Sequence, residues 1–331
     1  MLDAHLNGSV NMETPQKVFE ALSDTLGPRL PRWPDGETRR KEWVNSLVPF
    51  LHEIKGLELV EHQRVEEVSY EFPIFTLSAG WSAQDLDLSP LRFAETALGG
   101  YQAFCRARAA GLVPKSARFQ TQLPTPTAIL GFFFDPALFD DLTPVFVSHL
   151  RREMAVITAI VPPAELAVQW DVAPELAFSL GALPGIAPVP LEVIADRLAE
   201  LATLVPDGAH LGFHLCYGDP RPDSDPPGRQ VVAPEDTSFA VALCEAINAT
   251  VARPVDWISL PIPADQAVDR TYFEPLKRLA SLPHTRIVLG LINDSDGVEG
   301  SVRRTEMARE FLPSFGVSTV CGMGAAEGIS D

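Results

Sequence analysis

Short apolar runs alternate along the chain with longer stretches in which apolar residues recur every three to four positions, the pattern of strands and amphipathic helices in βα units. The short runs fall at residues 5–10, 29–33, 117–122, 166–171, 210–216, 255–260, 286–291 and 317–321. Helical periodicity covers 15–26, 39–52, 91–110, 142–161, 191–204, 234–248, 272–281 and 298–312, several of these opened by Pro, Asp or Thr, residues suited to a helix start. Eight such units are too many for a plain doubly wound sheet. They predict an α/β fold, a single (β/α)8 TIM barrel over residues 1–331, with its functional groups at the C-terminal strand ends. Residues 57–77 alternate apolar and polar positions instead and predict a β-hairpin inserted after the second unit, bordering the mouth. After the last strand only residues 322–331 remain, so the last helix is expected to be short or missing. That side of the barrel is then bare or covered by a partner subunit, which makes a homo-oligomer plausible.

Charge changes the picture of partners rather than of fold. The 331 residues carry 26 Lys and Arg against 44 Asp and Glu, a formal net charge of −18, and the basic runs are short. Phosphate backbones and anionic lipid surfaces are therefore expected to be repelled, leaving a small-molecule substrate as the expected partner. No stretch approaches the roughly 20 apolar residues of a membrane span. The first eleven residues lack the basic-then-apolar pattern of a secretory signal, and the four cysteines are widely and irregularly spaced, so a reducing cytoplasm is expected. The Pro- and Asp-rich stretch 218–228 directly follows a strand and reads as a barrel loop rather than a domain linker.

Candidate chemistry collects at the strand ends. Residues two apart in a strand share a face, so His214 and Cys216 can both point into the mouth, where Cys321 of the last strand converges on them. One imidazole and two thiolates are soft ligands suited to zinc, and three protein ligands leave a fourth position for substrate. The same spacing also suits a buried strand that simply packs. Asp35 and Glu37 form a close acidic pair after the second strand, able to bind a cation or act as general acid and base; a turn at Asp35-Gly36 with an early-helix acid accounts for them equally well. Asp171 is a further acid at a strand end, or a helix cap, with Gln169 on its face and Trp170 opposite, against the helices. Tyr217 and Asp219, just beyond Cys216, and Ser259 and Trp257 on the sixth strand are candidate substrate contacts by position; the aromatic residues serve equally as core.

Several of these segments resemble one family. His214-Leu215-Cys216, Cys321-Gly322, the stretch from Gln169 to Glu175 and the stretch from Thr121 to Leu130 are similar to the catalytic barrel of cobalamin-independent methionine synthases and their single-barrel relatives, in the superfamily shared with uroporphyrinogen decarboxylase. The segments 30–38 and 213–219 resemble a single-barrel branch most closely. The resemblance implies zinc held by His214, Cys216 and Cys321, and an Asp171 that grips the amino group of a thiol substrate. It also implies a glutamate ligand on the sixth strand, where this chain has Ser259 and Pro261. The activity implied is zinc-dependent alkyl or methyl transfer to or from a small thiol. The alternative is a metal-independent lyase or decarboxylase in which Asp35, Glu37, Asp171 and Asp219 do the acid/base work.

Overall fold

Strands in this chain are buried on both faces, and their alternation sorts residues into two sets. Phe119 and Leu123, Val168 and Trp170, Leu211 and Phe213, and Leu289 and Leu291 join the large core under the helices. The residues at the alternate positions, among them Gln120, Gln122, Gln169, Asp171, His214 and Ser259, are buried and polar. A computed structural model describes residues 2–38, 40, 43–65, 70–181, 188–218, 230, 232–264, 269–282 and 284–324.

The main sheet has seven parallel strands: β1 (Arg32–Pro34), β4 (Arg118–Pro124), β5 (Leu166–Val172), β6 (His210–Leu215), β7 (Trp257–Pro261), β8 (Arg286–Ile292) and β9 (Gly316–Thr319), adjacent in that order. Residues 4–10 reach both of its edges. Ala4 bridges Val317 and Val10 bridges Met323 on one side, while Ser9 bridges Gly36 on the other, all parallel. The sheet is therefore curled on itself in the manner of a TIM-type barrel, with long helices such as Phe93–Ala109, Phe139–Thr158 and Gly297–Phe311 between the strands. Two further strands, β2 (Leu57–Val65) and β3 (Tyr70–Leu77), pair antiparallel with Leu57 opposite Leu77. They are tied to the sheet's surroundings by a Phe75–Phe134 bridge and by Phe72 stacked on Phe132, ring centres 4.9 Å apart.

Differences from the periodicity reading follow proline. The 29–33 strand begins at Arg32 because Gly27–Arg29 closes a 3-10 turn around Pro28. In place of one helix over 39–52 there is a 3-10 segment, Trp43–Leu47, then the single turn Val48–Leu51 containing Pro49; residues 39, 41 and 42 lie outside the described ones. The 272–281 helix is a short α-turn, Arg270–Phe273, followed by a 3-10 run, Glu274–Ser281, with Pro275 in its first turn. Two short helices went unread, Pro126–Phe133 capped by Thr125 and Pro174–Ser179. The tail expected to lack a full helix lies outside the described residues from 325 onward.

The N-terminal end of the interior is plugged. Trp257, fully buried, lies beside Gly212, where a Cβ would fall 2.0 Å from the indole, so only glycine leaves room for the ring. The Arg32 guanidinium sits 4.1 Å above the same ring and His5 packs 5.7 Å from it. Among the described residues, no helix is long and apolar enough to cross a membrane.

Candidate functional site

At the opposite end, the C-terminal ends of β6 and β9 bring His214, Cys216 and Cys321 together. Their ligand atoms all lie within 4.8 Å of one another. The Cys216 and Cys321 sulfurs are 3.5 Å apart, with no disulfide joining them. Backbone pairing explains the convergence: His214 stands opposite both Asp171 and Ser259, and the Cys216 amide donates to the Val172 carbonyl at 2.9 Å, extending the β5–β6 ladder past the last strand residue. The donor set fits zinc. It has one nitrogen and two sulfurs, two thiolate charges offset a divalent cation, and tetrahedral Zn–S bonds place sulfurs about 3.8 Å apart. Pro261, at the end of β7 opposite Gly290, offers no side-chain donor where the resemblance called for a glutamate.

Beside the triad is an acidic pocket. Asp171 is buried, and burial, reinforced by the charge of Glu37, pushes its carboxyl up to about 7 against the opposing pull of His214 and of Gln169. Glu37 is also raised by burial, with Arg40 and the Ser9 hydroxyl pulling the other way. Ser9 Oγ donates to Glu37 Oε2 at 2.5 Å, and the nearest Arg40–Glu37 approach is 3.4 Å. Gln169 orients Asp171: its amide nitrogen donates to Asp171 Oδ1 at 2.9 Å and to the Asn7 carbonyl at 2.8 Å, leaving its oxygen to accept from His5 Nε2 at 3.0 Å. Burial and the Arg32 charge hold His5 well below the usual histidine range, so it is neutral. Glu37, Arg40, Trp43 and Asp171 meet at a crevice of about 10 Å³, room for no more than one water.

Other sequence candidates fall elsewhere. Asp35 adjoins Glu37 and raises its carboxyl further, but it is also held by local turn geometry. Its Oδ1 accepts from the Glu37 amide at 2.9 Å, the turn arrangement, and its other oxygen lies against helix Phe93–Ala109, where a Cβ on Gly100 would come within 2.2 Å of it. The two acids reach a common cavity of about 170 Å³ between that helix and residues 14–16. Tyr217, following Cys216, is buried, its hydroxyl raised first by burial and then by Cys244 of helix Ser238–Thr250, as a core residue would be. Trp257 is the interior plug rather than a mouth residue. Ser259 shares the layer of His214, but its hydroxyl donates to Asn7 Oδ1 at 2.9 Å, so it braces the N-terminal segment. Asp219 lies outside the described residues.

Sequence reading passed over Arg40, Gln122 and the Asn7–Ser9 pair. Gln122 is almost fully buried, opposite Gln169. The available signal was polar residues at alternate positions, Gln120 and Gln122 or Asn7 and Ser9, in strands with no exposed face.

No protein-family model matches the chain, and no curated protein matches it. Solved structures do. A B12-independent methionine synthase from Shewanella sp. W3-18-1 in complex with selenomethionine aligns with a TM-score of 0.58 at 15% identity, over 98% of this chain and 92% of the other. A putative vitamin-B12-independent methionine synthase from Listeria monocytogenes aligns with a TM-score of 0.53 at 15% identity, over 99% and 94%. Over nearly its whole length, this chain has the fold of B12-independent methionine synthase structures.

Proposed function

We propose that the mouth binds a small thiol and activates it for alkyl transfer, foremost methyl transfer, with zinc held by His214, Cys216 and Cys321. The observation that carries this reading is the meeting of one imidazole and two thiols from distant strand ends directly beside a buried acidic pocket. Bound there, zinc would lower the pKa of an incoming thiol and present it as a nucleophile at neutral pH. The chain's own residues supply position. Asp171 and Glu37 offer negative charge to an ammonium group on the substrate, Gln169 fixes the Asp171 carboxylate, and Arg40 with Trp43 covers the crevice against water. The reading takes the chain as a single (β/α)8 barrel, closed by residues 4–10, with the 57–77 hairpin inserted after the second unit. It places the protein in the cytoplasm, acting on a small molecule.

Pro261 where a fourth protein ligand would stand leaves coordination open for substrate, as catalytic rather than structural zinc sites do. The same substitution, with a carboxyl near 7 at Asp171, favours a second reading: metal-free lyase chemistry in which Asp171 and Glu37 exchange protons with the substrate. Elemental analysis of the reduced, tag-free protein separates them. The first reading expects about one zinc per chain, lost in both Cys216→Ser and Cys321→Ser. Metal-free protein would overturn it in favour of the second.

A further inference from the structure

The plugged end of the barrel holds a cation that its neighbours do not consume. Arg32 opens β1 and lies over Trp257, its guanidinium 4.1 Å from the ring centre, while the next residue, Trp33, joins the core under the helices. Arg32 is 6% exposed. Its Nε has no partner, and the guanidinium forms no hydrogen bond or ion pair among the described residues. An aromatic face attracts the charge but accepts none of the in-plane N–H bonds, so the donor fork is left open.

Other arginines at this end show the contrast. Arg118, opposite Arg32 on β4, donates to the carbonyls of Pro163, Leu166 and Gly208 at 2.9, 3.2 and 2.8 Å. Arg286, which opens β8, donates to Ser314 Oγ at 2.7 Å and to the Phe315 carbonyl at 2.8 Å, and pairs with Asp3 at 2.9 Å. Two carboxylates attract Arg32 from a distance, and both are engaged elsewhere. Asp3 is held by Arg286; Asp256 accepts from the Leu211 amide at 2.8 Å through Oδ2 and lies 3.6 Å from His210 Nε2 through Oδ1. Burial lowers the Arg32 guanidinium to about 10, with Asp256 and Asp3 pulling the other way, so it remains charged at neutral pH. A buried charge whose donors stay unmatched is far more destabilising than an unmatched neutral group, and losing the proton does not relieve it. The Arg286, Asp3, His210 and Asp256 side chains are all partly exposed, so Arg32 lies beneath a polar rim open to solvent.

We propose that the N-terminal base of the barrel binds one small oxyanion, two of whose oxygens accept from the Arg32 fork, and that this ion is a structural part of the base. A planar fork is matched by paired oxygens, as in phosphate or a carboxylate, and not by a single sphere such as chloride. Asp3 and Asp256 restrict the site to one small ion, since a polyanion would meet both of them in a chain of net charge −18. The site lies at the opposite end from His214, Cys216 and Cys321 and is independent of what the mouth binds. The base of this type of barrel carries stability rather than chemistry, the role a structural ion would have there.

Thermal unfolding in dilute Tris chloride tests the assignment, with sodium phosphate, sodium acetate or sodium chloride added at equal ionic strength up to about 20 mM, where screening is common to all three. The melting temperature of the wild type is expected to rise saturably by about 2 °C or more with phosphate or acetate, and by less than half as much with chloride; the effective salt identifies the source of the oxygens. Arg32→Met covers the indole without a charge. It should melt at or above the wild type before oxyanion is added and below it at saturation, because only the wild type gains. Arg32→Lys, which keeps the charge but not the fork, should need about tenfold more oxyanion for the same shift. Equal responses of the wild type to all three salts, or an Arg32→Met protein that melts below the wild type by one constant margin, would overturn the proposal and leave Arg32 matched by water. Line broadening of the phosphate phosphorus and acetate proton resonances by the wild-type protein tests it without any variant. One of the two should saturate at about one ion per chain, and broadening that saturates for neither would overturn the proposal.

Discussion

Replacing Glu175 by Gln should make the protein progressively more stable than the wild type as pH rises. Glu175 opens the short helix Pro174–Ser179 and is 3% exposed; Thr125 Oγ donates to its Oε1 at 2.5 Å, and Oε2 has no partner among the described residues. Burial, partly offset by the Thr125 bond, pushes its carboxyl from an ordinary 4.5 to about 7. Below 4.5 the acid is neutral whether the chain is folded or unfolded. Between 4.5 and about 7 the unfolded chain gives up the proton while the folded one keeps it, so stability falls with rising pH and levels off above the folded value. At 1.36 kcal/mol per pH unit the whole loss is about 3 kcal/mol. Gln keeps the hydrogen-bonding shape and carries no charge, so the stability gap between variant and wild type should widen by about 2 kcal/mol from pH 5 to pH 8. Urea unfolding of both proteins at pH 5, 6, 7 and 8 reads that gap directly. Asp171 titrates in the same window but is common to both proteins and cancels in the difference. Parallel pH profiles would refute the reasoning, because they would mean that the folded state does not raise the Glu175 carboxyl.

Gly212→Ala should cost about 1–3 kcal/mol by driving a methyl group into the Trp257 ring, and Trp257→Leu in the same chain should recover part of it; a Gly212→Ala protein that melts at the wild-type temperature would contradict the plug. Trp257→Leu alone should lower the melting temperature without changing ligand affinity in calorimetry, whereas a selective loss of affinity would return Trp257 to the mouth. Asp171→Asn should weaken binding of amine-bearing ligands by about tenfold or more while sparing amine-free thiols, and equal weakening of both would remove Asp171 from the ammonium site.

Apolar periodicity located β4, β5, β6 and β8 to within a residue or two because each is a continuous buried run between turn residues. It blurred β1, a three-residue strand ending in Pro34 and preceded by Pro28 and Pro31, and merged the turns of 39–52 into one helix, because proline placement decides backbone hydrogen bonding that apolar spacing does not register. The alternation rule paired His214 with Cys216. Applied one residue further it puts Tyr217 on the opposite face from Cys216, and Tyr217 is buried with the core residues. The meeting with Cys321 follows from strand ends converging. Asp35 was not legible in the same way, since its direction depends on Gly100 of a helix 65 positions later. Arg40 lies on a loop whose path depends on two left-handed residues, and its partner Gln122 on a strand eighty-two positions away, so neither spacing nor composition singles them out.

X-ray absorption at the zinc edge, on protein as purified and after addition of L-homocysteine, tests the central claim most directly. The account predicts a first shell of one nitrogen and two sulfurs with a light-atom fourth ligand, changing to three sulfurs when the thiol is added. A sulfur count unchanged by thiol, or protein that holds no zinc, would contradict it.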